Sequence, residues 1–149
     1  MSEQQQNRIH YHLVRIITEN LELLPVDIAE DQPVRVDVGF NFGIDNEQHL
    51  LKILFKNVFL QDESPFITIE TGCIFAINPE AWELLCDEEN NRFTIPQQFA
   101  GHLAGLTVST ARGILHQATE DTPLNMFLIP VTNIEEIVRE DIQLPLRSE

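Results

Sequence analysis

Residues 34–42 read VRVDVGFNF. Valine or phenylalanine occupies every second position, and arginine, aspartate, glycine and asparagine occupy the positions between them. Successive side chains of a strand point to opposite faces of its sheet, so this stretch has one apolar face and one polar face. The pattern predicts a half-buried strand of an antiparallel sheet.

Three more strands are predicted around this one. The turn chemistry of Gly43–Asn46 predicts a hairpin to a strand at 48–60, and a second turn leads to a strand at 66–77. Segment 8–18 is rich in aromatic and β-branched residues and carries apolar groups on both faces. It is therefore interpreted as an inner or doubly covered strand.

The second half of the chain favours helices. A short helix is expected at Pro79–Leu85, and the longest helix opens at Pro96. A row of residues recurs along this helix at spacings of three and four, comprising Phe99, Leu103, Leu106, Thr110 and Ile114. A short C-terminal helix is expected after Thr132 or Asn133, either of which is a natural N-cap.

Strands first and helices afterwards predict an α+β fold. The expected architecture is a four-stranded antiparallel sheet followed by a long helix and a short C-terminal helix packed on one face. The 149 residues are expected to form a single domain, 1–149. Residues 1–7 and 142–149 are expected to be flexible tails.

The long helix also carries a row of small residues. Gly101, Gly105, Ser109 and Gly113 recur at every fourth position. A glycine inside a helix costs about 1 kcal/mol relative to alanine, so the row predicts that something packs closely against this side of the helix. Two interpretations stay open: packing against the sheet of the same chain, and helix packing across a subunit interface.

Composition narrows the classes of partner. Lys and Arg number 9 and Asp and Glu number 24, which gives a formal net charge of −15. Such a chain repels phosphate, so neither nucleic acid nor direct membrane insertion is expected. The acidity is interpreted either as a solubility device or as attraction to basic partners. Two cysteines in apolar surroundings, no signal peptide and no membrane-spanning run predict a cytoplasmic protein.

The sequence contains no familiar enzyme motif, such as a glycine-rich phosphate loop, a GxSxG elbow or a CxxC pair. No enzymatic activity and no cofactor are therefore expected. His10 and His12 share one face of a predicted strand, and with His49 they could bind a metal. The competing interpretation, two partly exposed strand histidines, is favoured. Cys73 is interpreted as a buried hydrophobe rather than a nucleophile.

Apolar residues also fall on segments that are too short to bury them well: Val26, Ile28, Phe127, Ile129, Ile134, Ile137 and Val138. Short segments with this much aliphatic character can line a groove, and they can equally close an ordinary core.

Five stretches resemble stretches of SecB, the bacterial export chaperone, and they occur in the same order along the chain. Residues 70–77, ETGCIFAI, look like the end of its fourth strand. Residues 99–114, which include Arg112-Gly113, resemble its long helix, and residues 124–134 resemble the linker before its second helix. Residues 15–18 and the pair Gln32-Pro33 are similar to the first strand and to the entrance of the second. The resemblance covers residues 8–138.

The resemblance implies a homotetramer, built as a dimer of dimers, whose apolar grooves hold unfolded or precursor polypeptides without ATP. It implies a client groove lined by Val26, Ile28, Pro33, Val34, Phe127, Ile129, Ile134, Ile137 and Val138. It also implies an oligomer interface that contains Gly101, Gly105, Leu106, Ser109 and Arg112. The small-residue row would then let helices approach each other closely.

Three positions depart from the family pattern. Asp31 stands where SecB proteins usually carry an aromatic residue. Asn20 and Leu24 stand where the family carries acidic side chains that dock the SecA motor. Holding unfolded chains is therefore better supported than delivering them to SecA for export. The alternative is a SecB-fold adaptor or structural oligomer with one dedicated partner, such as an antitoxin. A small metal-dependent enzyme or ligand binder is the third hypothesis.

Overall fold

The computed structural model describes residues 9–25, 27–29, 31–130 and 133–147. The described strands are β1 Tyr11–Leu23, β2 Val34–Asp45, β3 Leu50–Gln61, β4 Ser64–Ile77, β5 Cys86–Asp87, β6 Arg92–Ile95 and β7 Ile142–Pro145. The helices are α1 Pro79–Leu85, α2 Gln97–Ala118 and α3 Ile134–Ile137, with a 3-10 turn at Pro123–Met126.

The main sheet is antiparallel and has the order β1-β4-β3-β2. The alternating stretch at 34–42 forms β2, which continues to Asp45 and pairs with β3 without a break in register. The long helix α2 packs on β3 and β4. The predicted α+β class, with a four-stranded antiparallel sheet followed by helices, is therefore confirmed.

The first strand differs from its prediction. Among the described residues β1 is an edge strand that pairs only with β4, and most of its side chains are exposed. The prediction of an inner or doubly covered strand is wrong. Both faces of β1 carry apolar side chains, but none of them is fully buried. Irregularities between Leu13 and Arg15, and between Thr18 and Asn20, interrupt the simple alternation of its side chains.

The buried stripe of α2 is wider than the sequence row predicts and displaced from it. Phe99 and Leu103 are buried as expected, but Leu106 is exposed. The stripe runs instead through the small residues Ala100, Ala104, Thr107 and Ala111. Alanine on this side lets the helix lie close to the large aliphatic and aromatic side chains of β3 and β4.

A second, three-stranded sheet has the order β5-β6-β7. Its last strand corrects the prediction of a flexible tail at 142–149, because β7 pairs with β6 from Ile142 to Pro145 and Leu146 is buried. Phe93 and Ile95 of β6 are fully buried, and β7 completes the layer around them. Residues 148–149 and the predicted tail 1–7 lie outside the described residues.

Candidate functional site

The segment that follows the 3-10 turn, Phe127–Pro130, is called the linker below. Its side chains alternate between the core and the surface: Phe127 is half-buried, Leu128 is 55% exposed and Ile129 is 2% exposed. Met126, just before the linker, is 75% exposed. Period-two alternation is the signature of extended chain, so one side of the linker closes the core and the other presents Met126 and Leu128 to solvent.

The floor beneath the linker is aromatic. The ring centroid of Phe127 lies 5.0 Å from that of Phe66 in an edge-to-face arrangement, and 5.8 Å from that of Phe59. Phe59 and Phe66 belong to β3 and β4 and are buried in the same apolar cluster as Ile129. Edge-to-face pairs at these distances add to the free energy gained from burial.

Arg112 fixes the far end of the linker. Its Nε donates to the carbonyl oxygen of Ile129, and its Nη2 donates to that of Pro130, both at 2.9 Å. A guanidinium is suited to this task because its donors lie in one rigid plane. Arg112 was expected at a subunit interface, and within the chain its guanidinium binds the linker.

The first two members of the small-residue row, Gly101 and Gly105, face α3. A Cβ atom at Gly101 would lie 3.5 Å from Cγ2 of Ile134, and one at Gly105 would lie 4.0 Å from Cγ1 of the same residue. Glycine at both positions therefore leaves room for Ile134. Gly113, by contrast, has open space at its Cβ position, and Ser109 is exposed.

Several residues predicted to line a groove belong to the core in this structure. Ile129 and Val138 are buried, because the linker and α3 lie against the sheet and α2. The remaining described residues of that set are half-buried or exposed, namely Ile28, Pro33, Val34, Phe127, Ile134 and Ile137. Val26 lies outside the described residues. Ile129 and Val138 therefore do not line an open groove within this chain, and a groove formed by the other residues of the set stays a prediction.

Two cavities lie on the surface near these segments. One of about 530 Å³ contains Pro33 and Val34 and is bordered by Arg35 and Glu63, which form a 2.8 Å ion pair. The other, of about 650 Å³, lies between α2 and α3 and contains Gly101 and Ile134. Gln61 holds the segment that leads into β2, because its side-chain amide both donates to and accepts from the backbone of Ala29 at 2.9 Å.

A second apolar surface combines Leu106, which was predicted at an oligomer interface, with two residues of β1 that sequence reasoning missed. Leu13 and Ile16 are paired with the core residues Phe75 and Cys73, so they lie on the sheet face that α2 covers. They are nevertheless 45% and 48% exposed, and Leu106 of α2 is 40% exposed. His102, one turn before Leu106, contacts Tyr11 of β1, which places Leu106 on the β1 side of the helix. Leu13, Ile16 and Leu106 are called the open strip below.

The histidines and cysteines are held in separate places. His49 stacks on Trp82 with ring centroids 5.2 Å apart, while His10 and His12 are exposed on and near β1. No three His, Cys, Asp or Glu side chains among the described residues are grouped as a metal site would require. Cys73 is buried, and the half-buried Cys86 thiol contacts the carbonyl oxygen of Trp82.

The electrostatic setting of Cys86 does not activate it. Partial burial, followed by the nearby carboxylates of Glu88 and Glu83, raises the pKa of this thiol. A raised pKa lowers the fraction of reactive thiolate at neutral pH.

The chain matches no family model and no curated protein. Among solved structures it is similar to the Mycobacterium tuberculosis Rv1957 SecB-like chaperone in complex with a ChAD peptide from the Rv1956 HigA1 antitoxin. The two chains are 11% identical, the match covers 87% of this chain and 95% of that one, and the TM-score is 0.45.

Within the described residues, no helix has both the length and the apolar character needed to cross a membrane.

Proposed function

We propose that this protein is a SecB-like chaperone that binds extended, non-native polypeptides without ATP or enzymatic chemistry. The observation that carries the proposal is the linker, an extended segment that holds Leu128 and the preceding Met126 in solvent. Large apolar side chains held together on the surface are typical of protein-binding sites. The sequence motifs that resemble SecB support the same function independently.

The net charge of −15 fits this function. A strongly acidic surface keeps a loaded complex soluble and speeds encounter with basic segments, while apolar burial supplies most of the affinity. We expect binding to weaken only modestly with salt, because salt screens long-range attraction more than it affects apolar contacts.

The role in export is the weaker part of the proposal. Asn20 and Leu24 lack the carboxylates that the SecB resemblance requires for docking SecA. On the sheet face away from α2, Lys52 and Lys56 form ion pairs with Glu19 and Glu70 at 2.8 and 3.3 Å, so acidic groups there are partly neutralised. We favour holding of unfolded chains in the cytoplasm over delivery to SecA.

A homo-oligomer, in the SecB pattern a tetramer, is part of the proposal. The open strip supports it, since Leu13, Ile16 and Leu106 lie beside the unpaired edge of β1. An edge strand with apolar neighbours is a natural place for a second chain to pack.

The test is light scattering from several unrelated, chemically unfolded proteins during refolding. The wild type is expected to suppress aggregation at a stoichiometric ratio, and Met126→Asp with Leu128→Asp is expected to lose most of that protection. Leu84→Asp is the matched control, because Leu84 is as exposed as Leu128 but lies on α1. Equal loss in the control variant would contradict the proposed surface.

The second candidate function is a dedicated adaptor with one partner. It predicts that the wild type protects a single protein and none of the unrelated ones. The exposed pair Met126 and Leu128 would serve an adaptor equally well, so the breadth of protection is what separates the two candidates.

A further inference from the structure

We propose that Met126 is a site of reversible oxidation, where a peroxide converts the thioether to a sulfoxide and thereby weakens the holding of unfolded chains. Among the large apolar side chains of the described residues, that of Met126 is the most exposed, at 75%. The inference rests on the proposed function, because Met126 and Leu128 form the exposed apolar pair that carries it.

The fold itself holds Met126 in solvent. Met126 is the last residue of the 3-10 turn Pro123–Met126, which begins with a capped residue: the hydroxyl of Thr122 accepts from the N–H of Leu124 at 3.2 Å. On the other side of Met126, the N–H of Phe127 donates to the carbonyl oxygen of Leu124 at 3.0 Å. Leu124 is buried and anchors the turn. The thioether is therefore presented to solvent by an ordered, hydrogen-bonded turn.

The two cysteines are poorer targets for a peroxide. Cys73 is 1% exposed. The Sγ atom of Cys86 lies 3.2 Å from the carbonyl oxygen of Trp82, and burial, followed by nearby carboxylates, raises the pKa of this thiol. Peroxides react with the thiolate of a cysteine, whereas a thioether has no proton to lose and reacts according to its exposure. Of the sulfur atoms in the described residues, that of Met126 is expected to be oxidised first.

The chemical step needs only a hydroperoxide, of which hydrogen peroxide is the simplest. The sulfur atom of Met126 attacks one peroxide oxygen, so that an S–O bond forms while the O–O bond breaks. The departing hydroxide takes the proton of the transferred oxygen and leaves as water. Sulfur loses two electrons and the peroxide gains them. Methionine sulfoxide reductases reverse the change with two electrons from a pair of thiols, which become a disulfide as water is released.

Oxidation changes the surface that the proposed function uses. A sulfoxide is polar and accepts hydrogen bonds, so a client that covers it must first remove its water. Met126 belongs to neither of the two buried clusters, so the fold is expected to stay intact. We therefore expect affinity for unfolded chains to fall about tenfold, on the order of what the loss of one buried apolar side chain produces, without a change in stability.

The experiment treats the wild type with hydrogen peroxide and removes the excess with catalase. Peptide mapping by mass spectrometry is expected to find the sulfoxide at Met126 before either cysteine is oxidised. The protein concentration that half-protects a refolding client from aggregation is expected to rise about tenfold. Methionine sulfoxide reductases A and B with dithiothreitol should restore it. Earlier oxidation of a cysteine, or protection that stays lost after the sulfoxide is reduced, would overturn the inference.

Two variants separate the sulfur chemistry from other damage, each compared with its own untreated sample. Met126→Leu keeps an apolar side chain but removes the thioether, and it retains Met1 and both cysteines. Peroxide should leave its protection unchanged, and a loss as large as that of the wild type would overturn the inference. Met126→Gln carries a polar side chain from the start, so it should protect as weakly as the oxidised wild type before any treatment. Protection at the level of the untreated wild type would contradict the role of polarity.

Thermal unfolding checks that the treated wild type is still folded. An unchanged melting temperature supports local action at Met126, and a lowered one would assign the loss to unfolding and overturn the inference. The outcome for the proposed function is separate. If the untreated wild type protects no unfolded protein, the proposed function fails. If it protects them and peroxide leaves that protection unchanged, only the role of Met126 oxidation is wrong.

Discussion

Thr71 lies in the middle of the sheet, and its buried hydroxyl has no hydrogen-bond partner among the residues that the structure describes. Asn57, on the neighbouring strand β3, is also fully buried, and neither polar atom of its side chain has a hydrogen-bond partner in the described part of the chain. Thr107 of α2 is equally buried, but its hydroxyl donates to the carbonyl oxygen of Leu103 at 2.9 Å. A buried polar group without a partner costs about 1–3 kcal/mol, so these threonines make a matched pair.

Thr71→Val is expected to raise the free energy of unfolding by about 1 kcal/mol, because valine has nearly the same shape and no hydroxyl to desolvate. Thr107→Val loses a formed hydrogen bond and should be neutral or destabilising. Urea unfolding of both variants, followed by tryptophan fluorescence, measures the difference. A destabilised Thr71→Val would mean that the hydroxyl is satisfied in solution.

Cys86 provides a prediction about pH. Since burial and the carboxylates of Glu88 and Glu83 raise the pKa of its thiol, alkylation by iodoacetamide should reach its half-maximal rate at a higher pH than a free cysteine does. Glu88→Gln removes one of these charges, lowers the pKa and should speed labelling near neutral pH. Glu89→Gln is the neighbouring control. Wild-type labelling as fast as that of free cysteine at pH 7 would contradict the prediction.

The burial and the contacts of individual side chains were the hardest features to predict from the sequence. The burial of Cys73 followed from its apolar neighbours, and the pattern of β2 predicted which of its side chains share a face. All four residues of Met126–Ile129 are apolar, so the sequence could not show which of them face the core and which face solvent. The partners of Arg112 could not be predicted, because contacts between residues 112 and 129 depend on how the chain folds back.

At the scale of the element, α2 has two unlike flanks. On one side Gly101 and Gly105 accommodate Ile134, and on the other the helix leaves Leu106 uncovered. The sequence predicted a close approach at the glycines but could not distinguish α3 from the sheet or from a second subunit. A row of small residues indicates that another element packs closely against the helix, but it does not indicate which element that is.

Gly113 is expected to have no close neighbour to accommodate within its own chain, since a Cβ atom there would meet open space. Gly113→Ala should raise the free energy of unfolding by about 0.5–1 kcal/mol and the melting temperature by about 2–4 °C, because alanine loses less backbone entropy in a helix. Thermal unfolding measured by circular dichroism tests this. If the variant instead loses subunits in light scattering, Gly113 lies in an interface.

The strands that were predicted well are those whose partners are close in sequence. β2, β3 and β4 are joined by short turns, so alternation and turn residues were sufficient to place them. β7 was predicted as tail because IQLP is short and contains proline. It forms a strand because it pairs with β6, and a pairing between such distant parts of the chain cannot be predicted from a local pattern.

At the scale of the whole molecule, the open strip predicts assembly. Ile16→Glu with Leu106→Glu should lower the mass measured by light scattering at micromolar concentration, because buried carboxylates without partners would oppose contact between two copies. Leu84→Glu, at a position of α1 that is 53% exposed, should leave the mass unchanged. A monomeric wild type would contradict the proposed oligomer without affecting the linker site.

The small sheet has a consequence for synthesis on the ribosome. Ile95 of β6 pairs with Ile142 of β7, so all of α2, the linker and α3 must be made before that edge can close. Until then the nascent chain presents Phe93 and Ile95 without their final cover. A protein proposed to shield the unfinished chains of others therefore passes through an interval in which it needs shielding itself.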